Sequence, residues 1–249
     1  METSLHQSLK ALYADSRQQQ EVRIGRYRID TIVQDTLVEI QHSSLAAIRD
    51  KIADLLRSHR VLVVKPVVIR RHLMRCSAKG GAIVSKRLSP KRGTFHEIFD
   101  DLVHFLQVFP HPRLSLEVLE VNIEEWRYPG HGRRRRWRKN DYCVEDQKLL
   151  DVLRGHRINQ PADLLDAIGS PLPEEFDTLS LATELAIPRW QARRVAYCLC
   201  KLGLTQLVGM RGNARVYAVE NAREYKQNMA IQFDEYLPKW NRTAIPDGR

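Results

Sequence analysis

Arg26-Tyr-Arg-Ile-Asp-Thr-Ile-Val-Gln-Asp-Thr-Leu-Val-Glu-Ile-Gln41 is the stretch that decides the fold. Its two runs rich in β-branched residues, 27–33 and 36–41, are separated by the polar pair Gln34-Asp35, and this pattern predicts a β-hairpin. The connecting pair is neither Asn-Gly nor Asp-Gly, so the prediction depends on the strands more than on the turn.

The predicted hairpin carries carboxylates on neighbouring strands. Side chains alternate between the two faces of a strand, so Glu39 and Gln41 point the same way, roughly 7 Å apart. Asp30 lies in the mostly apolar first strand, where an unpaired carboxylate is costly to bury. Two carboxylates and an amide suit Mg²⁺ or Mn²⁺. A solvated outer face of the sheet explains the same residues, and the hairpin alone leaves both interpretations open.

Length and composition indicate an ordinary globular protein. The 249 residues suffice for one large domain or two smaller ones, and 43% are hydrophobic. No apolar run approaches about 18 residues, and the N-terminus lacks a basic region followed by an apolar one, so neither a transmembrane helix nor a secretory signal is expected. Cys76, Cys143, Cys198 and Cys200 have neither zinc-site nor disulfide-framework spacing, which predicts reduced thiols in a cytoplasmic protein.

The charge of the chain indicates its class of partner. A net charge of +10 and an isoelectric point near 9.6 favour a polyanion, most often nucleic acid. A generically basic surface without such a partner is the alternative.

Periodicity predicts the elements around the hairpin. In order they are a helix over 3–14 with Leu5, Leu9 and Leu12 buried, a strand over 21–24, the hairpin, a helix from Ser43 or Ser44 to about His59, and a strand over 61–69 buried on both faces. Glu2, His6 and Lys10 recur every four residues, so they would share one side of the first helix.

This order of elements, with Asp30 in the second strand and Glu39-Ile-Gln41 in the third, resembles the αβββαβ core of the PD-(D/E)XK nuclease superfamily, which has a restriction-endonuclease-like fold. The closer similarity is to the competence-associated nucleases of the CoiA type, where E-x-Q replaces E-x-K, and the superfamily also includes Holliday-junction resolvases. The resemblance covers about residues 1–70 and extends loosely to 125.

The resemblance implies a metal-dependent endodeoxyribonuclease, in which Mg²⁺ or Mn²⁺ activates a bound water for hydrolysis of a phosphodiester. Asp30 and Glu39 would bind the metal, and Glu2 would match the helical acid that some members add. Gln41 stands where the superfamily has lysine and would position the attacking water.

An amide supplies no positive charge to the transition state, so a cation from elsewhere in the chain is expected at this site. Lys51 and Arg49 in the predicted second helix are the nearest candidates, and Lys65 is a third.

Two basic segments follow the first four strands. Residues 70–92 are rich in Arg and Lys and could track phosphates beside the site or form a solvated loop. Residues 129–144 combine Pro and Gly with Arg133, Arg134, Arg135, Arg136 and Trp137. This composition predicts a linker that grips phosphates and stacks its indole on a base, with a plain solvated linker as the alternative.

The remaining sequence resembles a winged helix-turn-helix domain over 145–220. Helices are expected at 144–153, 179–185 and 189–202, and strands at 205–208 and 216–219. In that module the second helix of the turn reads the major groove. The matching contact candidates are Arg189, Trp190, Gln191, Arg193 and Arg194 on the helix and Arg211 and Arg215 on the wing. Winged helices also act as protein-protein modules, which remains open here.

The sequence therefore predicts an α/β protein with a nuclease domain over 1–128, a linker over 129–144, a winged helix over 145–220, and a C-terminal helix and tail over 221–249. We expect a metal-dependent nuclease acting on DNA. The alternative is a non-catalytic DNA-binding regulator with a degenerate nuclease fold. An RNA substrate and a homodimer both stay open.

Overall fold

The computed structural model describes residues 3–14, 20–130 and 141–220. The chain divides into two compact units, Met1–Ala167 and Ile168–Arg249. It is a mixed α/β protein with a large mixed sheet and several helices. No helix in these described ranges is long and apolar enough to cross a membrane.

Unit 1 is built on a seven-stranded sheet in the order β1-β2-β3-β4-β6-β7, with β5 paired to the outer part of β4. The β3–β4 and β4–β6 pairs are parallel, and the others are antiparallel. Its elements are α1 (Ser4–Tyr13), β1 (Gln20–Ile24), β2 (Tyr27–Val33), β3 (Thr36–Ile40), α2 (Arg49–Leu55), β4 (Arg60–Cys76), β5 (Ile83–Leu88), α3 (Ile98–Leu102), β6 (Leu114–Pro129) and β7 (Tyr142–Ile158); α4 (Asp163–Ile168) reaches the division.

The predicted hairpin is confirmed. Strands β2 and β3 pair at Thr31–Val38, Ile32–Leu37 and Val33–Thr36, across the two-residue turn. Gln34 has φ +54° in that turn. The left-handed conformation lets two residues reverse the chain in a tight hairpin, so the register is fixed although the turn lacks glycine.

Helix α1 packs on one face of the sheet and is capped by Thr3, whose hydroxyl accepts a hydrogen bond from the His6 N–H. Leu5 and Leu9 are fully buried against apolar residues of β3, β4 and β6. Leu12, which was expected in the same stripe, is 51% exposed. The buried stripe is therefore one turn shorter than predicted.

Several boundaries differ from the prediction. The helix expected over 43–59 is a short α-helix preceded by one turn of 3₁₀ helix at Leu45–Ala47, and α3 is likewise preceded by a 3₁₀ turn at Phe95–Glu97. Strand β4 is longer than the expected strand over 61–69, since it remains paired with β6 over most of its length. The strand continues through polar and basic residues, because it gains a ladder of hydrogen bonds from its neighbour.

The expected helix over 144–153 is wrong, because these residues lie in β7 and pair antiparallel with β6 from Leu116 to Pro129. Leu, Lys and Glu favour a helix locally, but pairing with a long partner strand overrides that preference. The second domain expected from 145 must be corrected in the same way, because residues 145–158 belong to β7 of unit 1, whereas most of the linker expected over 129–144 lies outside the described residues. The division lies between Ala167 and Ile168.

Two of the expectations fall outside the described residues. One is the nucleic-acid contact expected of Arg133, Arg134, Arg135, Arg136 and Trp137. The other is the C-terminal helix and tail expected over 221–249.

Unit 2 contains β8 (Glu175–Phe176), α5 (Thr178–Glu184), α6 (Arg189–Lys201), β9 (Thr205–Arg211) and β10 (Ala214–Val219). The strands form an antiparallel sheet in the order β8-β10-β9. The two predicted helices and two predicted strands of this region are thus present, with Pro188 at the start of α6.

Helix α5 begins at a capping box. The Asp177 carboxylate accepts hydrogen bonds from Leu179 N and Ser180 N at 2.8 and 2.9 Å, and the Ser180 hydroxyl reciprocates at the Asp177 N–H. We predict that Asp177→Ala lowers the free energy of unfolding of unit 2 by about 1 kcal/mol, the usual loss for such a cap. Urea unfolding followed by hydrogen exchange of α5 amides measures this. Asp177→Asn, which keeps the acceptor oxygen, should retain most of the stability, and equal losses in both variants would contradict the capping role.

Candidate active site

The candidate site lies where β2 and β3 separate. Their backbone ladder stops at Thr31–Val38, and continuing the register by one step places Asp30 opposite Glu39. The Ile40 N–H donates instead to Asp30 Oδ2 at 2.8 Å. The Asp30 side chain thus replaces a backbone acceptor at the point of separation, which brings the two acids of the hairpin together.

Asp30 is held by two further groups from α1. Its Oδ1 lies 3.0 Å from His6 Nε2 and 3.2 Å from Lys10 Nζ. Burial raises the pKa of Asp30, but the hydrogen bonds from His6 and Ile40 and the charge of Lys10 outweigh burial, so the pKa lies below its usual value. Asp30 is therefore a carboxylate at neutral pH.

Glu39 is buried and has one engaged and one unengaged oxygen. Its Oε1 accepts a hydrogen bond of 2.6 Å from Lys51 Nζ, which also donates to the Arg28 carbonyl. Its Oε2 is buried and has no hydrogen-bond partner among the residues that the structure describes. Burial raises the pKa of Glu39, the Lys51 hydrogen bond offsets part of the shift, and repulsion from Asp30 adds to it.

His6 and Lys10 are site residues that sequence reasoning did not assign. Lys10 Nζ bridges Asp30 and Glu21 Oε1, at 3.2 and 2.5 Å, and the lysine side chain is 5% exposed. The signal in the sequence was the four-residue spacing of Glu2, His6 and Lys10 on one side of α1, which was read only as a shared helix side. Glu2 itself lies outside the described residues.

Gln41 is committed to the turn after β3. Its amide nitrogen donates to Ser43 Oγ at 2.8 Å and to the Ser44 carbonyl at 2.9 Å. Both amide hydrogens are then in use, so any water that Gln41 positions would be bound by its carbonyl oxygen.

Of the three cations considered for the site, only Lys51 contacts one of the two acids. Arg49 Nε pairs with Asp50 at 3.0 Å. Lys65 is buried and binds the His42 and Ser43 carbonyls and Asp101 Oδ2, so these contacts lie away from the two acids. Lys65 fastens the turn after β3 to α3, and this use leaves it without a free charge for the site.

Asp30 and Glu39 are of the residue type that binds divalent ions. No group of three or more His, Cys, Asp or Glu side chains able to hold a metal occurs in the described parts of the chain. Mg²⁺, however, is often bound by one or two carboxylates and completes its shell with water and phosphate oxygens. Asp30 and Glu39 supply that number, and the buried, unengaged Glu39 Oε2 is the atom that a cation would satisfy.

In unit 2 the arginines expected to contact nucleic acid are exposed on α6 and the β9–β10 hairpin. They are Arg189, Arg193, Arg194, Arg211 and Arg215. Trp190 is 52% exposed and lies 5.1 Å under the Arg194 guanidinium. Gln191 departs from the expectation, because it faces the core of unit 2 and is 4% exposed. It occupies the buried side of α6 and is not placed for a base contact.

The protein is thus a mixed α/β protein whose large sheet carries two opposed carboxylates. Each carboxylate is bound by a lysine. The chain belongs to the family described as Domain of unknown function (DUF8091), whose model matches residues 3–159. An uncharacterized protein of Treponema pallidum (strain Nichols) is 32% identical over 176 residues, which cover 70% of this chain and 69% of that protein. No solved structure matches the chain. The family match begins at the cap of α1 and ends just after β7, so it includes the entire large sheet.

Proposed function

We propose that this protein is a divalent-metal-dependent nuclease that hydrolyses phosphodiester bonds in DNA. The observation that carries the proposal is the opposition of Asp30 and Glu39 at the separation of β2 and β3, with Glu39 Oε2 buried and unengaged. A net charge of +10 supplies the attraction for a polyanionic substrate.

The order of elements supports the same proposal. Helix α1, strands β1 to β3, helix α2 and strand β4 follow the αβββαβ order of the restriction-endonuclease-like core. In unit 2, two helices followed by the β9–β10 hairpin follow the order of a winged helix, whose exposed arginines would contact the DNA backbone. We also place the protein in the cytoplasm, where its free thiols stay reduced.

A bound Mg²⁺ or Mn²⁺ would supply a water of lowered pKa and neutralise charge on the scissile phosphate. Asp30 and Glu39 would hold it. Lys51 has the role of the cation that the E-x-Q sequence lacks, because it lies against Glu39 and can stabilise negative charge developing on the phosphate. His6 and Lys10 orient Asp30 and keep it ionised.

The second candidate function is a non-catalytic DNA-binding protein. It is favoured by the contacts of Asp30, whose oxygens already accept from His6, Lys10 and Ile40. In this alternative the acids and lysines form a structural ionic cluster, and the basic surface alone binds nucleic acid.

Plasmid nicking distinguishes the two candidates. The full-length protein should nick supercoiled DNA with Mg²⁺ or Mn²⁺ and should be inactive with excess chelator. Gel-shift binding without cleavage under any divalent ion would favour the non-catalytic candidate, and cleavage of RNA in preference to DNA would change the assigned substrate.

Metal affinity should depend on pH through Glu39. Its pKa is raised, so on acidification Glu39 takes up a proton that Mn²⁺ must displace, while Asp30, with a lowered pKa, remains ionised. Mn²⁺ affinity should therefore fall by up to about tenfold per pH unit below the pKa of Glu39 and level off above it. Calorimetric titration between pH 5 and 8 measures this, and the affinity of Glu39→Gln should be weak at every pH. A steep pH dependence retained in Glu39→Gln would assign the proton to another group.

A further inference from the structure

The outer parts of β4, β5 and β6 carry three arginines on one face. Arg75 in β4 is paired with Ser85 in β5 and with Arg127 in β6. Arg87 in β5 is paired with Leu73, two residues before Arg75. Directly paired residues project to the same face of a sheet, so the three guanidinium groups share one side.

These arginines differ in the contacts that their guanidinium groups make. Arg127 binds Glu125 Oε1 at 2.5 Å, and its guanidinium lies 3.9 Å from the centre of the Tyr142 ring. Arg75 and Arg87 are exposed and form no ion pair with any described residue. Arg127 is thus a fixed element that orients the tyrosine, whereas the other two carry positive charge available to a ligand.

The arginines and the tyrosine enclose a cavity of about 330 Å³. Among the described residues its charged lining consists of Arg75, Arg87 and Arg127 with one acid, Asp141. The volume is in the range of small-ligand sites, about 300–1,000 Å³. Tyr142 is 42% exposed and lines the cavity, and Arg127 covers one side of its ring.

Charged side chains continue from this cavity toward Asp30. Arg71 precedes Leu73 by two residues in β4. Its Nε lies 3.2 Å from Glu125 Oε2, and Glu125 also binds Arg127. Burial lowers the pKa of His42, and the positive charges of Lys65 and Arg71 lower it further. Glu125 raises the same pKa, and His6 lowers it. The cavity is thereby linked through Glu125 to Arg71, whose charge acts on His42.

We propose that the cavity lined by Arg75, Arg87, Arg127 and Tyr142, called here the arginine pocket, binds a single-stranded stretch of nucleic acid. Arg75 and Arg87 contact successive phosphates, and one base stacks on the side of the Tyr142 ring that faces away from Arg127. A duplex fits less well, because its bases are already stacked on one another, whereas unpaired bases stack readily on aromatic side chains. The inference rests on the nucleic-acid-binding part of the proposed function and not on hydrolysis.

Fluorescence anisotropy of a labelled oligothymidine and of a labelled hairpin duplex, with the full-length protein and a chelator present, tests the proposal. Tyr142→Leu should weaken the binding of the single strand and leave that of the duplex nearly unchanged. The loss of single-strand binding should be roughly 5- to 150-fold, the usual effect of losing one stacked base, and the salt dependence should stay unchanged. Tyr142→Phe should bind like the wild type.

Replacing Arg75 and Arg87 by Ala should reduce the slope of log affinity against log salt by about 1.4, since each phosphate contact to a single strand contributes about 0.7. Arg60→Ala is the matched control. Arg60 is an exposed arginine at the other end of the same strand, roughly 45 Å away, and its loss should leave the binding of the oligothymidine nearly unchanged.

Equal binding by wild type, Tyr142→Leu and the double arginine variant would overturn the arginine pocket and leave the nuclease proposal standing. Tighter binding of the duplex with no effect of Tyr142→Leu would overturn it too. Absence of any nucleic-acid binding by the wild type would overturn both proposals, whereas tight, pocket-dependent binding without cleavage would support this inference alone.

Discussion

Asp30→Asn and Glu39→Gln are each expected to reduce nicking of supercoiled DNA about 1,000-fold while DNA binding is retained. Each change removes one of the two carboxylates that would hold the ion and keeps the shape of the side chain. Losing the charge stabilisation of a metal-assisted transition state costs several kcal/mol, and each 1.36 kcal/mol is about a factor of ten in rate. Initial rates of nicking under saturating Mn²⁺ and gel-shift affinities are the two measurements.

Asp35→Asn is the control for these substitutions. Asp35 is an exposed acid in the turn of the same hairpin, five residues after Asp30, and it should have wild-type activity. Retention of nicking in Asp30→Asn and Glu39→Gln, together with an unchanged melting temperature, would rule out the proposed site. Loss of DNA binding in either variant would show that the acids support the fold and not the chemistry.

Lys51→Met is expected to lower the free energy of unfolding of unit 1 by about 3 kcal/mol at neutral pH. The side chains of Lys51 and Glu39 are 18% and 10% exposed, so removal of the lysine leaves a buried carboxylate without its cation. Breaking a buried pair on one side typically costs about 3–5 kcal/mol, and we take the lower end because Lys51 is partly exposed. Urea unfolding followed by hydrogen exchange of β3 and β4 amides measures the loss.

The loss should depend on pH with a defined sign. Glu39 has a raised pKa, and removing Lys51 raises it further, so at low pH the carboxyl is protonated and needs no cation. The difference between Lys51→Met and wild type should therefore be largest above the pKa of Glu39 and shrink as pH falls through it. Combining Lys51→Met with Glu39→Gln should restore most of the stability at neutral pH. An additive double variant would exclude the Lys51–Glu39 interaction as the cause.

The hairpin was predictable because its signals are local. Alternating apolar residues set β2 and β3, and a two-residue connection fixed the register that opposes Asp30 and Glu39. The cap of α1 at Thr3 and the two helices of unit 2 were equally accessible, since their polar and apolar residues lie within a few positions of one another.

Strand β7 and the contacts of Asp30 were not predictable in this way. Residues 144–153 form a strand because β6 pairs with them, and their local sequence carries no signal for that pairing. Lys10 approaches Asp30 through packing of α1 on the sheet, twenty residues away in sequence. The choice among Lys51, Arg49 and Lys65 likewise depended on distances that only the folded chain defines.

The bond from the Ile40 N–H to Asp30 Oδ2 makes this aspartate a piece of the scaffold as well as a candidate ligand. A lineage that abandoned hydrolysis would still be selected to keep Asp30, because its oxygen completes the spacing between two strands. Among the described residues Glu39 binds only the Lys51 side chain, so Glu39 could be exchanged where hydrolysis is not selected, whereas Lys51 also holds the Arg28 carbonyl. Exchange at Glu39, and not at Asp30, would therefore mark relatives that bind without cleaving.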